Sequence, residues 1–108
     1  MKTKRGSTLT RRETQVLKSL GADIALARGR RNISVTDMHK RTGLSRVTIN
    51  RIEAGDAGVS IGKYLMVLRI LGLEDGFSKV ASDDVMGRKI QDIEHNRAAK
   101  NLDLTGYR

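Results

Sequence analysis

Apolar side chains recur at intervals of three and four residues in the first third of the chain. They are Leu17, Leu20, Ile24 and Ala27. This spacing is typical of the buried face of a helix. Thr10 precedes the series and Glu13 follows three residues later, which is the capping-box pattern of a helix start. We predict a first helix that begins after Thr10 and ends at residue 30 or 31, with Asn32 suited to the left-handed conformation beyond a helix end.

A short second helix is predicted from Val35 to residue 41 or 42. Ser34 and Asp37 repeat the capping-box spacing at its start, with Asp in the place of Glu. Gly43 follows the helix and suits a tight turn, because glycine readily adopts a left-handed backbone conformation.

A third short helix is predicted over residues 46–54, with Ser45 as its N-cap. Helical spacing turns Ile49 and Ile52 towards the core. The opposite face points outward and carries Arg46, Val47, Asn50 and Arg51. This outward face is rich in hydrogen-bond donors and has few acids beside it.

The second half of the chain predicts three more helices. Ser60 caps a fourth helix that ends before Gly72, and a short fifth helix is predicted over residues 73–81. The fourth helix has one apolar face, formed by Ile61, Leu65, Leu68 and Leu71. Ser82, Asp83 and Asp84 precede a sixth, amphipathic segment. Its apolar stripe comprises Met86, Ile90 and Ile93.

The chain is predicted to be all-α, which the absence of Pro and the single Phe also favour. We divide it into a basic arm over residues 1–9, a helical domain over 10–81, and a C-terminal helix and tail over 82–108. Its length of 108 residues fits one compact domain with a modest core. The last segment follows a domain that is already complete, and its apolar stripe needs a surface to pack against. That surface is its own domain, a second copy of the chain or another protein, and the neutral charge of this half favours a partner or dimer contact.

Positive charge is concentrated in the first half of the chain, within a net charge of +9. Residues 1–31 contain nine Lys/Arg against two acids, whereas residues 56–108 contain eight of each. A lopsided surplus of this kind indicates a polyanionic partner at one end of the molecule.

Two short helices joined by a Gly-containing turn form the pattern of a helix-turn-helix. The second helix of such a motif enters the major groove of DNA with its first turn. Arg46 is suited to guanine O6 and N7, Asn50 to adenine N6 and N7, and Val47 to the thymine methyl group. These three residues are the predicted base contacts.

Four further residues are predicted to contact DNA phosphates: Thr36, Ser45, Thr48 and Arg51. Hydroxyl groups and free N–H groups at a helix start bind phosphate oxygens well. A second interpretation stays open at this point, because many all-α domains contain two short helices and a Gly turn without touching nucleic acid. In that case the arginines form a solvated face.

Patterns of catalysis and metal binding are not found in the sequence. It has no Cys, and its two histidines are far apart and lack a ligand cluster. No glycine-rich phosphate loop is present. We therefore expect no enzyme activity, metal, cofactor or small-molecule substrate. No signal peptide or membrane span is visible, so we expect a cytoplasmic protein without membrane contact.

The stretch "ISVTDMHKRTGLSRVTINRIEAGD" resembles the helix-turn-helix of the lambda-repressor/Cro-like (XRE) family. The stretches "GVSIGKYLMVLRILGL" and "LGADIALARGRRNIS" are similar to HipB-like antitoxins of that family. Together these resemblances cover about residues 17–80. They imply a lambda-repressor-like fold of five helices, to which this chain adds its C-terminal amphipathic helix.

The resemblance also implies a function. HipB-like proteins neutralise a HipA-like serine/threonine kinase toxin, which some operons split into two chains, and the pair represses its own operon. We expect a sequence-specific transcriptional repressor that binds a palindromic operator in double-stranded DNA as a homodimer. The alternatives are a stand-alone or phage-type repressor without a toxin, and a basic RNA-binding or structural module that no longer recognises DNA.

The chain departs from the family pattern at three positions of the second helix. Val35 replaces a Gln that commonly bonds a phosphate and supports the recognition helix, so this support is in doubt. His39 replaces a small Ala, and we expect it to be packed or partly exposed and not a ligand. Thr42 stands where Leu is common, which predicts a weaker apolar contact.

Overall fold

A computed structural model describes residues 8–104 of the chain, with side chains described up to residue 100. Its helices are α1 (Arg11–Arg30), α2 (Val35–Thr42), α3 (Arg46–Glu53), α4 (Ile61–Leu71), α5 (Glu74–Ser78) and α6 (Val85–Leu104). Within these residues the regular structure is entirely helical, so the all-α prediction is confirmed. The predicted arm lies outside the described residues except for its last two positions, and so does the tail beyond residue 104.

The predicted helix starts are confirmed by hydrogen bonds of the capping residues. Thr10 Oγ1 accepts from the Glu13 N–H at 3.1 Å, and the Glu13 carboxylate accepts from the Thr10 N–H at 3.0 Å. Ser34 and Asp37 form the same reciprocal pair at the start of α2. The side chains of Ser45 and Ser60 cap α3 and α4.

The predicted ends of α1, α2 and α4 are also confirmed, and each uses a left-handed residue. Asn32 has φ 54°, Gly43 has φ 79° and Gly72 has φ 76°. Positive φ places little strain on glycine and is tolerated by asparagine. The sharp turns after α1, α2 and α4 therefore follow directly from local sequence.

The core lies among α1, α2, α3 and α4. It consists of Ile24, Ala27, Ile33, Met38, Leu44, Ile49, Ile52, Val59, Tyr64, Val67, Leu68 and Leu71. Met38, Ile49, Ile52 and Val67 are completely inaccessible to solvent. Burying an aliphatic side chain of this size stabilises a fold by about 1.5–3 kcal/mol relative to leaving it exposed.

The predicted apolar face of α4 is only half right. Leu68 and Leu71 are buried as expected, but Ile61 is 64% exposed, and Tyr64 is buried in addition. Ile61 lies in the first turn of α4, at the edge of the core, and borders a surface groove there. Tyr64 can be buried because its hydroxyl donates a hydrogen bond to the Asp56 carbonyl oxygen at 2.7 Å.

The described residues divide into two compact units, the first ending at Phe77 and the second beginning at Ser78. The domain boundary at 81/82 stays a prediction. The fifth helix is shorter than predicted and ends at Ser78. In the second unit the Asp84 carboxylate accepts from the Gly87 N–H at 2.9 Å, as an N-cap would for α6. Four large apolar residues of α6 are exposed: Val85, Met86, Ile90 and Ile93.

Candidate nucleic-acid interface

The helix α3 presents the predicted base contacts to solvent. Arg46, Val47 and Asn50 are exposed, whereas Ile49 and Ile52 on the opposite face are completely buried. The two isoleucines pack into the core and fix the rotation of α3 about its axis. The exposed residues therefore point away from the domain, in the arrangement that contact with a major groove requires.

The first turn of α3 is ordered by a small hydroxyl network. The Thr48 N–H donates to Ser45 Oγ at 3.1 Å, and Ser45 Oγ–H donates to Thr48 Oγ1 at 3.0 Å. The helix start also has N–H groups without intrahelical partners and the positive end of the helix dipole. This geometry suits a phosphate oxygen, although the phosphate contacts themselves stay a prediction.

Thr36 of α2 and Arg46 of α3 are brought together across the helix-turn-helix. The Arg46 Nε–H donates to Thr36 Oγ1 at 3.3 Å. The predicted phosphate contact and the predicted guanine contact are therefore neighbours in one surface.

Arg51, the fourth predicted phosphate contact, is engaged by an acid that the sequence analysis did not pair with it. Its Nε–H donates to Asp56 Oδ2 at 2.8 Å, and Asp56 Oδ1 accepts from the Gly58 N–H at 2.7 Å. These hydrogen bonds, above all that from Arg51, hold the pKa of the Asp56 carboxyl below its ordinary value. About half of the Arg51 side chain remains exposed, so its other nitrogen atoms stay open to a phosphate.

A mostly buried ion pair joins the last turn of α1 to the end of α3. Arg28 donates from Nε and Nη2 to the two carboxylate oxygens of Glu53, at 2.6 and 3.0 Å, and from Nη1 to the Ile33 carbonyl oxygen at 2.9 Å. The hydrogen bond to Glu53 raises the pKa of Arg28, against the opposite effect of burial. Sequence analysis missed this pair, although a signal existed: Arg28 follows Ile24 by four residues and so continues the apolar stripe of α1.

Two glycines allow the backbone of α1 to pack directly against the backbone at the end of α3. A Cβ atom on Gly21 would lie 2.6–2.7 Å from backbone atoms of Ile52, Glu53 and Gly55. Gly55 has φ 73°, and a Cβ there would collide with the Leu17 carbonyl group. Gly21 also had a signal in the sequence, since a glycine inside a helix is unfavourable unless packing requires it.

Two of the three residues that depart from the family pattern, His39 and Thr42, form hydrogen bonds around the turn. His39, which is half-buried, contacts the Leu44 carbonyl oxygen through Nδ1 at 2.6 Å, and Nδ1 must carry the proton to do so. Thr42 donates to the Met38 carbonyl oxygen at 2.7 Å and accepts from the Leu44 N–H at 3.1 Å. The expectation of a weaker contact at Thr42 omitted these hydrogen bonds, which satisfy its buried hydroxyl. Val35 packs against the core.

The described part of the chain contains neither a metal-binding cluster nor a membrane-spanning helix. No group of three or more His, Cys, Asp or Glu side chains there is placed to hold a metal ion. Among the same residues, no helix combines the length and apolar character needed to span a membrane.

Comparison with known protein families gives a match over the middle of the chain. The family model described as "Helix-turn-helix domain" matches residues 19–76, just over half of the chain. This segment runs from within α1 to within α5 and contains α2, the turn and α3. Neither the curated proteins nor the solved structures give a match.

Proposed function

The chain belongs to the helix-turn-helix domain family, and from this premise we propose that it represses transcription by binding one particular sequence of double-stranded DNA. The observation that supports the proposal best is the outward face of α3. It combines Arg46, Val47 and Asn50 on a helix whose inner face is completely buried. These side chains match the hydrogen-bonding and methyl groups of guanine, thymine and adenine in the major groove.

The charge distribution supports nucleic acid as the partner. Residues 1–55 contain thirteen Lys/Arg against four acids, and the helix-turn-helix lies within this half. Basic residues around a groove-binding helix supply most of the sequence-independent affinity for DNA.

Selection of bound duplexes from a random-sequence library tests the proposal. The wild-type protein should enrich one motif, and unlabelled DNA of other sequence should displace that motif poorly in a fluorescence anisotropy assay. Asn50→Ala should lose about 1–3 kcal/mol of discrimination at one base pair. Arg69→Ala removes an exposed residue of α4 instead, and the base preference should persist. Equal displacement by every competitor sequence would contradict specific repression.

We propose further that two copies bind a palindromic operator. A two-fold dimer sets its recognition helices about one DNA turn apart, roughly 34 Å. Inserting half a helical turn between the two half-sites should then abolish tight binding, whereas inserting a full turn is expected to impair it less. Unchanged affinity with the half-turn insertion would indicate independent monomers.

A more specific part of the proposal is that the protein acts as the antitoxin of a toxin–antitoxin pair. It is supported by the similarity of residues 58–73 to HipB-like antitoxins and by the exposed apolar side chains of Met86, Ile90 and Ile93 on α6. The partner would be a HipA-like kinase, in one chain or split into two. Co-expression with a kinase encoded beside this gene should relieve the growth arrest that the kinase causes alone.

Two results would favour the alternatives. A stand-alone repressor would bind its operator specifically but leave the neighbouring kinase fully toxic. A basic RNA-binding module would prefer RNA to duplex DNA of the same sequence and select no DNA motif.

A further inference from the structure

The contact between Thr36 and Arg46 bears on which base the protein recognises. Thr36 lies in the first turn of α2, where Ser34 and Asp37 fix the helix start by their reciprocal hydrogen bonds. Thr36 is half-buried, and its β-branched side chain has few rotamers. Its hydroxyl accepts the Arg46 Nε–H at 3.3 Å, and the small number of rotamers favours keeping it there.

This hydrogen bond determines which edge of the Arg46 guanidinium remains available. An arginine side chain has five N–H donors in a rigid planar arrangement. With Nε–H directed at Thr36, the terminal nitrogens Nη1 and Nη2 form the free edge. Two parallel donors on that edge fit the O6 and N7 acceptors of guanine and no other base edge equally well.

We propose that Thr36 is a positioning residue that orients Arg46 for end-on, two-point recognition of a guanine in the bound DNA. The inference rests on the proposed function above and adds a specificity determinant to it. The neighbouring Val35 has no hydrogen-bonding side chain and cannot supply this support. Positioning improves recognition because a side chain that is already ordered loses less conformational freedom on binding.

The Thr36 hydroxyl is also a predicted phosphate contact, and the experiment must distinguish that role from the positioning of Arg46. A threonine hydroxyl can accept one hydrogen bond and donate another, so Thr36 can support Arg46 and donate to a phosphate at once. A phosphate contact contributes to the affinity for every sequence, whereas positioning of Arg46 contributes only where Arg46 meets its base. The two roles therefore differ in their dependence on sequence and on Arg46.

The test uses the motif that the full-length wild-type protein selects from a random 25-base-pair library. Its probes are that duplex, its single-base variants, and a version with 7-deazaguanine, which lacks N7, at each guanine in turn. Thr36→Val removes the acceptor and keeps the shape of the side chain. We expect the preference for one guanine to fall about three- to tenfold, the factor that one hydrogen bond of ordinary net strength represents. Thr36→Ser keeps the hydroxyl and should restore most of this preference.

A double-mutant cycle with Arg46→Ala completes the experiment. In the Arg46→Ala background, Thr36→Val should not change discrimination at that guanine, and 7-deazaguanine should no longer weaken binding. Thermal unfolding by circular dichroism establishes that each variant is folded at the assay temperature.

Two results would overturn the inference. One is that Thr36→Val lowers the affinity for all duplexes equally, and does so in the Arg46→Ala background as well. Thr36 would then be a phosphate contact only. The other is a guanine preference that Thr36→Val leaves intact. A wild-type protein that selects no motif would instead refute the proposed function, and this inference with it.

Discussion

Replacing Glu53 by alanine is expected to destabilise the first unit, although Glu53 is not a predicted DNA contact. Its carboxylate accepts two hydrogen bonds from Arg28, and only 20% of the Arg28 side chain and 12% of the Glu53 side chain are exposed. Exposed ion pairs contribute about 0–1 kcal/mol, whereas breaking a buried pair costs about 3–5 kcal/mol, because one charge is left without its partner. For this mostly buried pair we expect the free energy of unfolding to fall by about 2–3 kcal/mol.

Thermal and urea unfolding followed by far-UV circular dichroism measure this loss. In a folding unit of this size the melting temperature should fall by roughly 10–20 °C. The control is Asp23→Ala, which removes a carboxylate from an exposed position of α1. It should remain within about 0.5 kcal/mol of the wild type.

A double-mutant cycle identifies the source of the loss. Arg28→Met and Glu53→Met should each destabilise the protein, but the double variant should lose much less than the sum of the two, because no charge is stranded. Strict additivity of the two losses would refute this account of the pair. So would a Glu53→Ala protein as stable as the wild type.

Four further predictions concern the packing and the charge of the first unit. Gly21→Ala should lower the free energy of unfolding in urea by about 3 kcal/mol, because the new Cβ would collide with backbone atoms. Gly29→Ala is the control: its Cβ would have no neighbouring atom within 4 Å, and the substitution should add about 0.5–1 kcal/mol of stability. Arg46→Ala should cost about 1–3 kcal/mol of operator binding by anisotropy and relax preference at one base position; equal loss on every sequence would indicate a phosphate contact. Asp56→Asn should release Arg51, strengthen binding to any duplex and steepen its salt dependence, and unchanged binding would contradict a phosphate contact by Arg51. Folding lowers the pKa of Asp56, so its ion pair with Arg51 contributes fully to stability above the ordinary carboxyl pKa of about 3.9. This contribution is lost as the pH falls through the lowered pKa. Acid unfolding of Asp56→Asn should therefore lack the part of the pH dependence that this ion pair causes.

The features that sequence analysis predicted correctly depend on neighbours within a few residues. Thr10 and Ser34 bond groups three residues away, and Asn32 and Gly43 adopt backbone conformations that residue type favours. The inward direction of Ile49 and its neighbours follows from helical spacing alone. Local chemistry was therefore sufficient to locate the helix-turn-helix and its outward face.

The features that it missed depend on residues far apart in the chain. Arg28 and Glu53 are 25 positions apart, and Gly21 meets Gly55 only after α1 has packed against the end of α3. Ile61 has the right spacing for the core but lies where the core ends. Each of these outcomes is decided by the packing of whole helices, which periodicity within one helix does not describe.

The positions of these missed features also explain how α3 can present a fixed surface. The Arg28–Glu53 pair and the contact of Gly21 with residues 52–55 both act on the C-terminal end of α3. At the N-terminal end, which would enter the groove, Ser45 and Thr36 form hydrogen bonds through their hydroxyl groups. Long-range packing thus fixes the axis of the helix, while hydroxyl contacts orient side chains of its first turn. We therefore expect variants at the C-terminal end to change mainly stability, and variants in the first turn to change mainly base preference.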